Sequence, residues 1–257
     1  MKLIFTCIFG FILSVISIQA NAQRIDSVIQ WSKTYGKSIW GISVSRIINT
    51  PDSGSIFISS VDQTGGGVTK YHGGVADAWV VKLNKYGVID WQRTYGGTAK
   101  DVASDIVGTS DSGYIFVGTT WSNDGDISSK NHDSSEIWVV KLKKDGSIQW
   151  QNTYGGERHD DGYAIISTLD GGYAITGSSN SNDGDVQGKN GVGTTNAVVL
   201  KIKNNGSLEW MKTYGGSDLD AANKIIQQKD SSYLVLAYTR SNDGDVKFLH
   251  GLEMPGY

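Results

Sequence analysis

The feature that most constrains this chain is a motif, Trp-x-x-Thr-Tyr-Gly, that recurs at a nearly constant interval. Its four copies begin at Trp31, Trp91, Trp150 and Trp210. The spacings are 60, 59 and 60 residues. A Ser-Asn-Asp-Gly-Asp segment keeps the same step and begins at Ser122, Ser181 and Ser241. A fixed period of this kind marks a repeat architecture, so we expect one structural unit written about four times.

Within one unit, four short segments show strand patterning and none shows a helical period. In the second unit they cover residues 102–108, 114–118, 137–142 and 147–154. A tight turn over residues 110–113 joins the first pair, and Asp145-Gly146 joins the last pair, where glycine suits the positive φ of a type I′ turn. Only the second connection is long. The unit is therefore predicted to be a four-stranded antiparallel sheet, the blade of a β-propeller.

The repeat divides the chain into a leader and one repeat domain. Lys2, an apolar run over residues 3–18 and Ala20-Asn21-Ala22 form the three regions of a secretory signal, so residues 1–22 are predicted to be cleaved on export to the periplasm or the exterior. The repeat domain is then residues 23–257. It is predicted to hold a lone fourth strand at 24–36, blades at 37–97, 98–156 and 157–216, and a partial blade at 217–257.

The expected fold is an all-β propeller with three complete four-stranded blades and an incomplete, composite fourth. The lone fourth strand would pair with the last blade and close the ring. The unfinished blade would leave a pairing edge open to self-association. We therefore expect either a truncated reading frame or a fragment of a larger propeller.

Composition excludes several partners and chemistries. The net charge is -3 and the pI about 5.8, so the chain lacks the basic surface that nucleic acid requires. Its one cysteine, Cys7, lies in the predicted leader, which removes disulfides, cysteine-ligated metals and a cysteine nucleophile from the mature chain. The leader is shorter than the roughly 20 apolar residues of a membrane span, so no span is expected.

The motif tryptophans Trp31, Trp91, Trp150 and Trp210 are expected to be structural. Each would be buried between adjacent blades, hiding about 200 Å² of surface. The residue recurs because every blade interface poses the same packing problem. The alternative is an aromatic platform for a sugar.

The unit resembles a known kind of repeat. The second copy reads Asp-Ser-Gly-Tyr-Ile-Phe-Val-Gly, then Ser-Asn-Asp-Gly-Asp, then Trp-Val-Val-Lys-Leu-Lys-Lys-Asp-Gly-Ser-Ile-Gln-Trp. It resembles the roughly 60-residue tandem repeats of secreted proteins from Bacteroidetes-type bacteria. That resemblance implies a secreted propeller, often exported through the type IX route, and says little about activity. The segment from Asp145 to Trp150 is also similar to the tryptophan-docking motif of quinoprotein propellers, which implies shared blade packing more than shared chemistry.

Strand parity predicts where functional residues lie. In each blade the tight turns share one end, whereas the long loop and the connection between blades share the other, which is the expected binding face. That face collects the Gly-Gly-x-x-x-Asp connections and the histidines that follow the long loops. Its candidate residues are Asp101, Asp160, Asp220, His72, His132 and His250. Solvated loop histidines are favoured over a three-histidine metal site.

The Asn-Asp-Gly-Asp segments offer hard oxygen ligands around a glycine bend, as Ca²⁺ prefers. The candidate calcium ligands are Asp124, Asp126, Asp183, Asp185, Asp243 and Asp245. The spacing is not that of an EF-hand. The sequence favours the alternative, a run of Asx turns that cap the loop through its own backbone.

Three functions fit these features. A non-enzymatic propeller that binds a protein or glycan through its acidic loop face is favoured, because residues repeated around a ring suit multivalent recognition. Catalysis usually needs one asymmetric constellation, and no carboxylate pair stands out as acid and base. A propeller enzyme, such as a glycosidase or quinoprotein-like dehydrogenase, and a structural fragment without activity of its own remain the alternatives.

Overall fold

The computed structural model describes residues 32–35, 43–65, 67–128, 130, 132–186 and 194–246. The predicted signal segment, Trp31, most of the predicted lone fourth strand and His250 lie outside these residues. The described part contains fourteen strands, and its regular structure is entirely β. It holds no helix with the length and hydrophobicity of a membrane span.

Each sequence unit forms its own antiparallel sheet, in which the strands follow one another in chain order. Sheet 1 contains β1 (Ser43–Asn49), β2 (Ser55–Val61), β3 (Asp77–Leu83) and β4 (Ile89–Tyr95). Sheet 2 contains β5 (Asp101–Gly108), β6 (Tyr114–Thr120), β7 (Glu136–Leu142) and β8 (Ile148–Tyr154). Sheet 3 contains β9 (Asp160–Ser167), β10 (Tyr173–Ser179), β11 (Asn196–Ile202) and β12 (Leu208–Tyr214). Sheet 4 contains β13 (Asp220–Gln227) and β14 (Tyr233–Thr239).

The all-β class and the four-stranded antiparallel unit are thereby confirmed. The predicted strand ends in the second unit differ from the observed ones by at most two residues. Sheet 4 has two strands in the described chain. Of the predicted lone fourth strand, residues 32–35 are described, and they carry no strand assignment.

The turn between the third and fourth strands differs from the prediction. In sheet 2, Gly146 N donates to Lys143 O at 3.0 Å, and Lys143 N donates to Ser147 O at 2.8 Å. Gly146 has a φ of 80°, but Asp145 before it does not have a positive φ. A type I′ turn needs positive φ at both central residues, so that prediction was wrong. The glycine instead follows the turn and ends it in the left-handed region.

The sheets pack face to face in chain order. One core cluster joins sheets 1 and 2, where Ile58 and Val80 meet Phe116 and Trp138. A second cluster joins sheets 2 and 3, and a smaller one joins sheets 3 and 4. The indole of Trp138 meets Phe116 edge to face, with ring centroids 5.4 Å apart. Burial of such large apolar side chains at each interface is what stabilises a stack of thin sheets.

The fully buried tryptophans are Trp79 and Trp138, on the third strands, which sequence reasoning missed. The motif tryptophans that the structure describes, Trp91, Trp150 and Trp210, lie at sheet interfaces, as predicted, but are only half-buried. Trp91 rests on Gly146 of the next unit, where an added Cβ would come within 2.7 Å of its ring, and its Nε1 donates to Lys144 O at 3.1 Å. The motif tryptophans are less deeply buried than expected, because the fourth strand is the edge strand of its sheet and its indole covers the rim of the interface. Trp150 makes the same contact with Gly206, and Trp210 packs on the core between sheets 3 and 4.

Candidate functional site

The Asn-Asp-Gly-Asp loop closes over the connection that enters its own unit, at the end predicted from strand parity. In unit 2, Thr98 donates to Asp124 through its backbone N and its Oγ1, both at 2.8 Å. Asp126 N donates to Gly96 O at 2.9 Å, and Gly96 N donates to Asp126 Oδ2 at 3.2 Å. We call this arrangement the loop clasp. It recurs in the next two units through Asp183, Asp185, Asp243 and Asp245.

A second aspartate lies buried beneath each clasp. Asp101 accepts hydrogen bonds from Gly97 N and Ser122 Oγ, both at 2.7 Å, and from Thr120 Oγ1. Asp160 and Asp220 accept the bonds equivalent to those from Gly97 N and Ser122 Oγ, and all three aspartates are at most 2% exposed. Their predicted place on an exposed binding face was wrong. They turn inward because the irregular connection leaves backbone N–H groups that the β-ladders do not satisfy.

Asp124 in a clasp and Asp160 beneath a clasp have pKa values shifted in opposite directions. Burial raises the pKa of Asp160 to about 6, although hydrogen bonds from Ser179, Gly156 and Ser181 oppose the rise. At the clasp surface, hydrogen bonds from Thr98 hold the pKa of Asp124 below its ordinary value. Asp124 is therefore an ionised cap near neutral pH, whereas Asp160 sits close to a proton-binding transition.

These contacts bear on the calcium prediction. In each clasp the first aspartate accepts a backbone N–H from the connection, 26 residues away in the chain, and so caps a neighbouring segment rather than the backbone of its own loop. The described residues hold no group of three or more His, Cys, Asp or Glu side chains placed to bind a metal ion. Calcium binding by the six loop aspartates stays a prediction.

The two described loop histidines anchor the long loop to the third strand. His72 N donates to Asp77 Oδ2 at 2.5 Å, and its Nδ1 lies 3.0 Å from the same oxygen. His132 has the same relation to Glu136, with Nδ1 3.0 Å from Oε1. His72 Nε2 also lies 3.7 Å from Asp126 Oδ2, in the clasp of the next unit. The histidine therefore bridges two neighbouring sheets instead of standing free in solvent.

His72 sits between two carboxyl groups of raised pKa. Burial raises the pKa of Asp77 to about 6, against the opposing hydrogen bonds from His72. Burial also raises the pKa of Asp126, although Gly96 N and the nearby imidazole lower it. Asp77 is the first residue of β3, and this strand starts at the same end of the sheet as the long loop. Its carboxyl group therefore lies next to the loop.

A polar groove of about 380 Å³ opens beside this bridge, between β4 and the start of β8. We call it the outer groove. Its charged lining residues are Lys70, His72, Arg93 and Asp126. Lys70 and Arg93 are exposed, whereas Asp126 is held by Gly96 N. Hydroxyl and amide groups of Thr69, Gln92 and Ser147 complete its polar wall.

Sequence reasoning found His72 and Asp126 but missed Lys70 and Arg93. Arg93 occupies a variable position of the Trp-x-x-Thr-Tyr-Gly motif, which a search for recurring residues passes over. Asn152 and Lys212 take that position in the next two copies. The signal that could have found it is the difference between copies.

Comparison of the chain with protein-family models and with curated proteins gives no match. The resemblance to secreted Bacteroidetes-type repeats therefore stays a prediction.

Proposed function

We propose that the chain is a secreted, non-enzymatic β-propeller module that binds a glycan bearing carboxylate groups in the outer groove. The propeller arrangement is supported by the way each first strand packs on the first two strands of the sheet before it, so that successive sheets turn about a common inner edge. The cleavable leader predicted over residues 1–22 supports secretion. Sheets related in this way form a ring when enough of them follow one another.

The observation that carries the binding proposal is the charge balance of the outer groove. Two exposed cations, Lys70 and Arg93, line it, and its one lining carboxylate, Asp126, already accepts a hydrogen bond from Gly96 N. Arg93 Nε donates to Asp145 O at 3.4 Å, and its other guanidinium N–H groups are not used in that bond. The chain as a whole is acidic, with a net charge of -3, so this cationic site is local. A wall of hydroxyl, amide and cationic groups suits the hydroxyl and carboxylate groups of an acidic sugar.

A non-catalytic role is supported by what the recurring aspartates do. A carboxylate-pair mechanism needs two acids that face the substrate. Asp101, Asp160 and Asp220 are buried under backbone donors, and the first aspartate of each clasp caps the connection. These carboxylates are occupied in holding the loops.

The test measures binding of the full chain to oligogalacturonates, with uncharged maltooligosaccharides as the neutral probe. Arg93→Glu is expected to weaken oligogalacturonate binding by about tenfold or more, because it replaces attraction by repulsion inside the groove. Lys212→Glu is the matched control, since it makes the same charge change at the same motif position in sheet 3. Equal losses in both variants, equal binding of the neutral probe, or no binding would refute the proposal.

A further inference from the structure

Sheet 4 exposes a strand edge and a sheet face whose equivalents in sheets 2 and 3 are covered. Within the described chain β14 pairs with β13 alone, whereas β6 and β10 each pair with strands on both sides. Both of those central strands are buried along their whole length. On β14, Leu234, Leu236 and Tyr238 are exposed. The outer edge of β14 therefore offers backbone N–H and C=O groups for another strand.

A cleft of about 350 Å³ lies beside that edge, between sheets 3 and 4. Its lining includes Ala197, Val199, Trp210, Tyr214, Val235 and Ala237. The corresponding residues between sheets 1 and 2 are Ala78, Val80, Trp91, Tyr95 and Phe116. They form one cluster with the third-strand side chains of Trp138, Val140 and Leu142. Tyr214 is 45% exposed where Tyr95 is 2% exposed. The cleft thus has the lining that receives third-strand side chains elsewhere.

The complete sheets also show that a third strand carries a positively charged side chain next to the turn between the first two strands. Each third strand has a buried lysine, and the turn between the first two strands supplies its aspartate. The pairs are Lys82 with Asp52, Lys141 with Asp111 and Lys201 with Asp170, at 2.7, 2.7 and 3.0 Å. Asp230 holds the same turn position in unit 4, where it accepts hydrogen bonds from Ser232 N at 3.1 Å and from Ser232 Oγ at 2.6 Å. No ion pair joins Asp230 to a lysine within the described residues.

We propose that sheet 4 binds an extended peptide segment as an added antiparallel strand on β14. The register of the complete sheets specifies its contacts, because Tyr114, Phe116 and Gly118 stand opposite Leu142, Val140 and Trp138. Large apolar side chains at the third, fifth and seventh positions of the segment fill the cleft. A lysine at the sixth position reaches Asp230. Backbone pairing gives affinity, and the cleft and the carboxylate select the sequence.

Two observations favour an added peptide strand as the occupant of this edge: the geometry of the complete sheets and the charge of Asp230. The interface is the one that the chain already builds between its complete sheets, and Asp230 carries the charge that complements the lysine. The surface lies at the opposite end of the sheet stack from the outer groove. The proposal is therefore independent of glycan binding.

The test uses a fluorescein-labelled peptide with the sequence of residues 134–145 and measures its anisotropy against the full chain. We expect saturable binding. A peptide with Lys141→Glu is expected to bind about tenfold more weakly, since it places two negative charges together. The protein variant Asp230→Lys is expected to reverse this preference, so that the altered peptide now binds better. Glu157→Gln, an exposed change in the connection between sheets 2 and 3, is the control and is expected to leave both affinities unchanged.

A second altered peptide tests the cleft without any change to the protein, so a folding defect cannot explain the result. Trp138→Ala in the peptide leaves the cleft unfilled and is expected to weaken binding by about tenfold or more. Absence of saturable binding, or affinities indifferent to Asp230→Lys and to the Trp138→Ala peptide, would overturn the proposal. So would a sedimenting dimer of the full chain that the peptide does not dissociate, because a second copy would then hold the edge.

Discussion

Lys141 and Asp111 form an ion pair in which only the cation is buried. The lysine ammonium donates to both oxygens of Asp111, at 2.9 and 2.7 Å, and to Leu142 O at 3.2 Å. The side chain of Lys141 is 1% exposed and that of Asp111 is 50% exposed. Removal of the aspartate therefore leaves a buried charge with neutral acceptors, whereas removal of the lysine leaves a carboxylate that water can reach. We therefore expect the two substitutions to lower the free energy of unfolding by different amounts.

The size of each loss follows from the bonds that remain. Asp111→Ala removes charge-assisted bonds to Lys141 and the bond from Gly113 N, at 3.0 Å. Breaking a buried pair from one side costs about 3–5 kcal/mol, and the exposure of Asp111 reduces this to about 2–4 kcal/mol. Lys141→Met keeps an apolar stem of similar length and is expected to cost about 1 kcal/mol. The double variant is expected to be more stable than Asp111→Ala alone, because no unpaired charge stays buried.

Urea unfolding followed by tryptophan fluorescence measures these free energies, provided that the m-value stays constant. Asp230→Ala is the matched control, since Asp230 caps the same turn without a lysine, and its effect is expected to be small. The reasoning fails if Lys141→Met costs as much as Asp111→Ala, or if the double variant costs the sum of both. A large effect of Asp230→Ala would assign the loss to the turn instead of to the lysine.

Three further outcomes are expected, each measured by the same unfolding assay. Ser112→Gly is expected to stabilise the chain by about 1 kcal/mol, because Ser112 has a φ of 65° and Gly171 takes its place in the next unit; a loss of stability would contradict this. Trp138→Ala is expected to cost about 3–5 kcal/mol and Trp91→Ala clearly less, since only the first ring is fully buried; equal costs would show that burial does not set the difference. Asp160 has its pKa raised to about 6 in the folded chain, so the folded state binds the extra proton and stability is expected to fall as pH rises from about 4 to 6. Asp160→Asn is expected to reduce that slope, while the contribution of Asp77 remains, and an unchanged slope would refute the assignment.

Much of the fold could be predicted because the repeat shows each strand several times. The turn glycines and the alternation in β8 recur in every complete unit, so the sheet boundaries came out within two residues. Burial was harder to predict. The motif tryptophan recurs more regularly than Trp138, whose place is taken by Val198 in sheet 3, yet Trp138 is the more buried. A residue that recurs in every unit occupies a constrained position. How far its side chain is buried depends on whether its strand lies inside the sheet or at the edge.

The candidate site was only partly predictable, for a related reason. Aspartates that repeat in every unit were expected to face a ligand, because repetition suits multivalent recognition. Their contacts show that the aspartates recur for a structural reason. Every described connection between sheets leaves the same backbone N–H group unpaired by the β-ladders, and the aspartate accepts its hydrogen bond. In a tandem repeat, the positions that differ between copies are therefore the better guide to function. Arg93 in the outer groove is such a position. At Asp230 the aspartate itself recurs, but the lysine that pairs with it in the other units has no counterpart among the described residues, and this difference carries the second proposal.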